Sequence, residues 1–293
     1  AETAKLTETE TPIEEETPAL TVQAALTMPT ADLTEEAESE VAYTKDGGTT
    51  WTSSTLADAV TAIGKQTGTI RVLKDITLTQ GLYIMGDITI IPGDKDVTIK
   101  RGFATGTDAS KGNSGDAMIT MFMYNNVLNE WHNLTGKLTL GSTESGSAKL
   151  IFDGNSTQYG SNCNAPILYL LGNPQILPNG VGSCTINNVV FQNNTNSSRG
   201  GAICINNNTY LQINDSVFQN CKAQAGGAVY YDNTQLDSSF QSKVTFNNTV
   251  FKDNAAENGG ALYYDNSITT IENCTFEANT VSGSNGGAAI YTN

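Results

Sequence analysis

Two short stretches decide the fold: Phe191-Gln192-Asn193-Asn194 and, a few residues on, Gly200-Gly201-Ala202-Ile203. Gly-Gly-Ala occurs four times, beginning at Gly200, Gly226, Gly259 and Gly286, with spacings of 26, 33 and 27 residues. Each copy follows a phenylalanine (Phe191, Phe218, Phe251, Phe276) by eight to ten residues, and three residues after these stand Asn194, Cys221, Asn254 and Asn279. Aligned on the phenylalanine, the copies give further columns. Ile186, Ile213, Phe246 and Ile271 lie five residues before it, and Cys184, Leu211, Val244 and Thr269 seven before. Asn188, Asp215, Asn248 and Asn273 fall between strand and phenylalanine. Apolar columns two residues apart are strand faces, and Asn or Asp between them marks a turn, because these residues tolerate the left-handed backbone region.

A unit of about 25 residues with several strands and Gly or Asn corners reads as one rung of a parallel β-solenoid. Rungs stack about 4.8 Å apart, so members of a column become vertical neighbours. Phe152 and Asn155, with Asn164-Ala165-Pro166-Ile167 in place of the glycines, read as an earlier degenerate copy.

The paired motif resembles the repeats of chlamydial polymorphic membrane proteins, in which Gly-Gly-Ala-(Ile/Leu/Val) accompanies Phe-x-x-Asn. The matching residues are Gly200, Gly201, Gly226, Gly227, Gly259, Gly260, Gly286 and Gly287, with Phe191, Phe218, Phe251, Phe276, Asn194, Asn254 and Asn279. Cys221 departs from the asparagine pattern, and Ala289 intrudes before Ile290 in the fourth copy. The resemblance implies a right-handed parallel β-helix of the pectate-lyase-like kind, displayed outside the cell for attachment.

Working outward, short β runs broken by Gly, Asn or Asp extend the pattern back to Thr69, at Ile70 to Leu73, Ile76 to Leu78, Leu82 to Ile84, Ile88 to Ile91, Val97 to Ile99 and Lys137 to Leu140. Before them, Lys45-Asp46-Gly47-Gly48 reads as a hairpin connection. Leu56, Ala59, Val60 and Ile63 fall at helical spacing behind Thr55 as N-cap and Asp58, which predicts a short helix covering the first rung. Residues 1–40 hold eleven acids and one lysine with almost no aromatic residue, a composition that predicts a disordered leader. The expected organisation is therefore a leader over 1–40, a hairpin and capping helix over 41–68, and a β-helix over 69–293 that continues beyond this stretch.

Composition narrows function. The net charge is −15 with three arginines (Arg71, Arg101, Arg199), which argues against nucleic acid or anionic lipid as main partner. No apolar run approaches the roughly 18–20 residues of a spanning helix, so no membrane insertion is expected. The five cysteines occupy unlike columns and are expected free and mostly buried. His132 has no metal-spaced partner, and Asp94-Lys95-Asp96 and Asp46-Gly47-Gly48 read as turns, so no metal or cofactor is expected.

After each Gly-Gly-Ala, alternation places Tyr230 and Tyr263 outward beside Asp232 and Asp265, and Tyr231, Tyr264 and Tyr291 inward. Stacked exposed tyrosines flanked by carboxylates suit sugar rings and hydroxyls; the bland alternative is ordinary cross-rung stacking. A polysaccharide lyase or glycoside hydrolase on the same fold is the competing class, and it needs unequal clustered acids, whereas Asp215, Asp232 and Asp265 recur about once per rung. The expectation is a non-enzymatic extracellular adhesin or stalk module binding glycan or a host or partner protein.

Overall fold

The computed structural model describes residues 39–105, 116–122, 136–144, 146–161, 163–171, 183–206, 209–232, 243–265, 267–283 and 286–292. Strands form three parallel faces. The first face runs from Thr67–Val72 to Ile268–Glu272, the second from Ile76–Leu78 to Thr275–Glu277, and the third from Leu82–Ile84 to Ile290–Thr292, seven strands deep in each case. The chain visits first, second and third face in turn, so each circuit is one rung of a parallel β-helix. The expected leader lies outside the described residues except for Ser39 and Glu40. His132 likewise lies outside them.

The hairpin forms from Val41–Thr44 and Thr52–Ser54, and its first strand pairs antiparallel with Thr67–Val72. Asp46 organises the connection by accepting bonds from the Thr44 and Thr50 hydroxyls and the Thr50 amide, which hold its carboxyl well below the usual range. The helix spans Leu56–Ile63 with Thr55 Oγ1 accepting from the Asp58 amide at 3.2 Å. Its buried residues Leu56, Ala59, Val60 and Ile63 join the same core cluster as the rungs. Ile63 packs so closely on the first face that a Cβ at Gly68 would sit 2.6 Å from it.

Left-handed residues turn the chain between the first and second faces and again after the second in the repeat region. Between first and second faces stand Asn188, Asp215, Asn248 and Asn273, with φ of 54°, 53°, 49° and 53°. This is the Asn/Asp column read from sequence. After the second face come Asn193, Asn220, Asp253 and Ala278, again at φ between 51° and 54°. The first glycine of the tripeptide, as at Gly200 with φ 67°, turns the chain into the third face. The second glycine answers a different need: a Cβ on Gly227 would lie 2.1 Å from the Gly260 carbonyl oxygen of the next rung. Close stacking of backbone on backbone therefore excludes any side chain there. The alanine that follows (Ala202, Ala228, Ala261) is fully buried.

The interior is built of stacked columns. Phe152, Phe191, Phe218, Phe251 and Phe276 lie face to face with centroids 5.5, 5.1, 5.1 and 4.9 Å apart, which confirms Phe152 as an earlier copy. Beside them the asparagines stitch rungs together. Asn254 Oδ1 accepts from the Cys221 amide at 3.0 Å while its Nδ2 donates to the Phe218 carbonyl at 3.0 Å. Asn279 repeats this one rung on, accepting from the Asn254 amide and donating to the Phe251 carbonyl. A backbone donor freed by the bend is thus satisfied by a side chain that also binds a carbonyl of the adjoining rung. Cys221, in the asparagine position, lies 3.9 Å from the Phe191 carbonyl and makes the same contact more weakly through sulfur.

Two details differ from the sequence alignment. The 33-residue spacing arises because ten residues separate Asp232 from Lys243 where three separate Asn206 from Tyr210, while the rungs themselves are alike. In the fourth copy the extra alanine is absorbed before the strand. Leu262 pairs with Ile290, and Tyr263, not Tyr264, pairs with Tyr291. Gly287 rather than Gly286 takes the first glycine's ladder position, its carbonyl accepting from the Gly260 amide at 3.0 Å. Tyr291 is therefore an outward residue, because a shift of one residue reverses every side chain of a strand.

Candidate functional site

The outward column of the third face runs Tyr83, Thr120, Tyr169, Cys204, Tyr230, Tyr263, Tyr291. Tyr230 and Tyr263 stack with centroids 5.0 Å apart, and Tyr263 and Tyr291 do the same at 5.0 Å. Asp232 and Asp265 are cross-rung partners two residues along, as alternation requires. The four residues picked out by sequence thus come together on one face.

Their exposure differs from the expectation. Tyr230 retains 3% of its surface, and Tyr169 and Cys204 are equally closed. The three form a second, smaller cluster with Ala117, against which Leu171, Ala225 and Tyr263 pack. The Arg199 guanidinium lies over the Tyr230 ring at 5.0 Å. Asn206 donates to the Tyr169 hydroxyl at 2.7 Å, and burial pushes that phenol well above its ordinary value. Tyr230 is therefore a packing residue and not an open sugar platform; Tyr263, Tyr291 and Asp265 are half-buried. Alternation fixes the face a side chain points to, but an outward side chain is open only if nothing lies over that face. The inward assignment of Tyr231 and Tyr264 holds. Tyr231 is buried in the main core, hydrogen-bonded to Thr269, stacked on Tyr264 at 5.6 Å and pushed up to about 12 by burial.

Among the described residues, the large apolar or aromatic side chains that do stand open are Tyr83, Tyr210 and Ile268, at 48%, 37% and 47% exposure. Tyr210 and Ile268 share an outer column of the first face with Lys243 between them. Lys243 Nζ lies 5.5 Å from the Tyr210 ring centre. The adjacent outer column is Thr69, Thr89, Thr139, Thr185, Gln212, Thr245, Thr270, six threonines in seven rungs. Both columns could have been read from the alignment, since they lie between and beside the inward columns that flank each phenylalanine. The Gly-Gly-Ala motif does not mark them, because it leads into the third face and these columns lie on the first.

The thiols and the buried arginine belong to the interior or pack against it. All five cysteines are free, four of them buried and Cys274 half-buried. Burial pushes the Cys221 thiol up to about 12 and raises Cys184 further, so neither is a thiolate at neutral pH. Arg101 is fully buried, donating from Nη1 to the Asp116 carbonyl at 2.7 Å and from Nη2 to the Pro166 carbonyl at 3.0 Å, so it ties one rung to the next. Among the described residues no three His, Cys, Asp or Glu side chains are placed to hold a metal ion. Among them, too, no helix is long and apolar enough to cross a membrane.

Comparison with known proteins agrees with this geometry. Residues 188–209, one corner of the first complete copy through to its third-face strand and beyond, match the Chlamydia polymorphic membrane protein repeat. No curated protein and no solved structure shows significant similarity to the chain.

Proposed function

We propose that this chain, which carries a repeat of the Chlamydia polymorphic membrane protein type, is a non-enzymatic module of an extracellular cell-surface adhesin or stalk. The observation that supports this reading is the unbroken register of three parallel faces through seven rungs. Such a stack adds about 4.8 Å of rigid length per rung. It presents the same outer columns again and again, which suits reach and multivalent attachment to a glycan or a partner protein. The matched repeat supports a place at the cell surface.

The test is attachment. Beads coated with the protein should adhere to cultured cells or to immobilised glycans, and soluble protein should compete them off. In parallel, fluorescent glycans incubated with the protein should migrate slowly but intact on a native gel. Beads that adhere no better than albumin-coated ones would sink the adhesin reading. A ladder of shorter products would replace it with a polysaccharide lyase or glycoside hydrolase.

A further inference from the structure

We infer that the outer surface of the first face binds a linear, sparsely carboxylated polysaccharide lying along the solenoid axis, with Tyr210 as the stacking residue and Lys243 as the carboxylate partner. The inference rests on the adhesin reading and gives it a face and a ligand class. Four consecutive strands build the surface: Lys137–Gly141, Ser183–Asn187, Tyr210–Asn214 and Lys243–Asn247. They contain no Asp or Glu, yet they carry Lys137 and Lys243, both exposed, in a chain of net charge −15. In the strand below, Asp87 accepts from the Lys137 amide at 2.9 Å, and the strand above carries Glu272. A local positive strip on an acidic molecule selects for a ligand that carries some negative charge, and two lysines three rungs, or roughly 14 Å, apart suit widely spaced carboxylates.

The remaining chemistry favours sugar. Tyr210 is exposed with the Lys243 ammonium over its ring at 5.5 Å, so a pyranose packed against the uncovered part of the ring places its carboxylate beside the cation. The column alongside supplies the Thr139, Thr185 and Thr245 hydroxyls and, beside Tyr210, the Gln212 amide at the rung interval, a step close to that of an extended pyranose chain. An extended peptide is disfavoured, because each of these strands already has parallel neighbours on both sides and offers no free edge for strand addition.

Affinity electrophoresis of the full chain through gels containing hyaluronate tests this, with carboxyl-reduced hyaluronate and poly-glutamate as comparison polymers. Hyaluronate should retard the protein, less so as salt is raised, while the reduced polymer and poly-glutamate should retard it far less. Tyr210→Ala and Lys243→Gln should each weaken retardation about tenfold, with circular dichroism melting curves close to the parent. Tyr263→Ala should leave retardation unchanged. Equal retardation by poly-glutamate would mean a charge-driven or acidic-protein site, and equal retardation by reduced hyaluronate would remove Lys243 from its role; either overturns the inference. Retardation that survives Tyr210→Ala, or no retardation at all, refutes this face and this ligand while bead adhesion remains free to uphold the adhesin reading; failed adhesion with intact hyaluronate binding would do the reverse.

Discussion

Replacing Asn254 by alanine should cost far more than a surface-polar substitution, and the structure sets the size of the effect. Asn254 is fully buried. Its removal leaves the Cys221 amide without its acceptor inside the stack and takes from the Phe218 carbonyl the side-chain donor it has besides the strand ladder. An orphaned buried backbone group costs about 1–3 kcal/mol, so roughly that much is expected before any cavity is counted. Asn279→Ala removes the same pair of bonds one rung on, where the side chain is half-buried and water can replace it, so about 1 kcal/mol is expected there. Asn254→Asp sharpens the test. It keeps an acceptor for Cys221 but sets oxygen against the Phe218 carbonyl, and burial will raise its carboxyl pKa above the unfolded value near 3.9. Its stability relative to the parent is then fullest below about pH 4 and falls as pH rises. Stacked repeats open locally, so urea unfolding should be paired with amide exchange at Cys221. An Asn254→Ala protein within about 0.5 kcal/mol of the parent, with the Cys221 amide still protected, would refute the account of the asparagine ladder.

Other expectations follow from the corners and the core. Gly227→Ala should cost about 3 kcal/mol or more in urea unfolding, since its Cβ meets a backbone oxygen that cannot retreat, whereas Gly47→Ala, with φ 72° but nothing within 4 Å, should cost only about 1 kcal/mol. Ala278 is the exposed left-handed corner with neither Asn, Asp nor Gly, so Ala278→Gly should raise stability by about 0.5–1 kcal/mol; a lower unfolding midpoint would contradict the strain assigned to it. Tyr230→Ala should cost about 3 kcal/mol and Tyr210→Ala under about 1 kcal/mol, and equal thermal shifts would mean the third-face tyrosines are not packed as described. Stability should also decline in alkali. Cys221 rises from 9.0 to about 12 and Tyr231 from 10.0 to about 12 on burial, so the unfolded chain loses these protons first. Their contribution is complete below about pH 9 and is lost as pH climbs toward 12, which urea midpoints at neutral pH and at pH 10.5 will show.

The repeat region was legible because the same physical demand recurs at the same place in each rung. Ile186, Ile213, Phe246 and Ile271 sit under one another as aligned. The Asn188 to Asn273 column occupies the left-handed corner for the reason that led it to be read as a turn. The corner at Asn193, Asn220, Asp253 and Ala278 was not read, because Ala278 breaks its composition although not its conformation. The fourth copy was misaligned by one residue for a related reason: the tripeptide beginning at Gly286 satisfies the motif, but the ladder is set by carbonyls and amides, and these choose Gly287. A motif records which side chains a position tolerates, while hydrogen-bond register records where the backbone is, and an inserted alanine separates the two.

The candidate site was half legible for a deeper reason. Period-two alternation is a property of one strand, and it puts Tyr230 and Tyr263 in one cross-rung column and Asp232 and Asp265 in another two residues along. Whether an outer face meets water depends on what packs over it, and that is a property of distant segments: Ala117 lies more than a hundred residues before Tyr230, yet belongs to the same outer cluster. The first face carries no such second cluster among the described residues over Tyr210 and Lys243, so the same aromatic residue type is closed on one side of the solenoid and open on the other. A repeat therefore duplicates its outer columns without duplicating their accessibility. Binding on such a fold depends on which face stays uncovered, and the inferred polysaccharide site is placed on the face whose four strands carry lysines and no carboxylate, a pattern that the repeat motif itself does not specify.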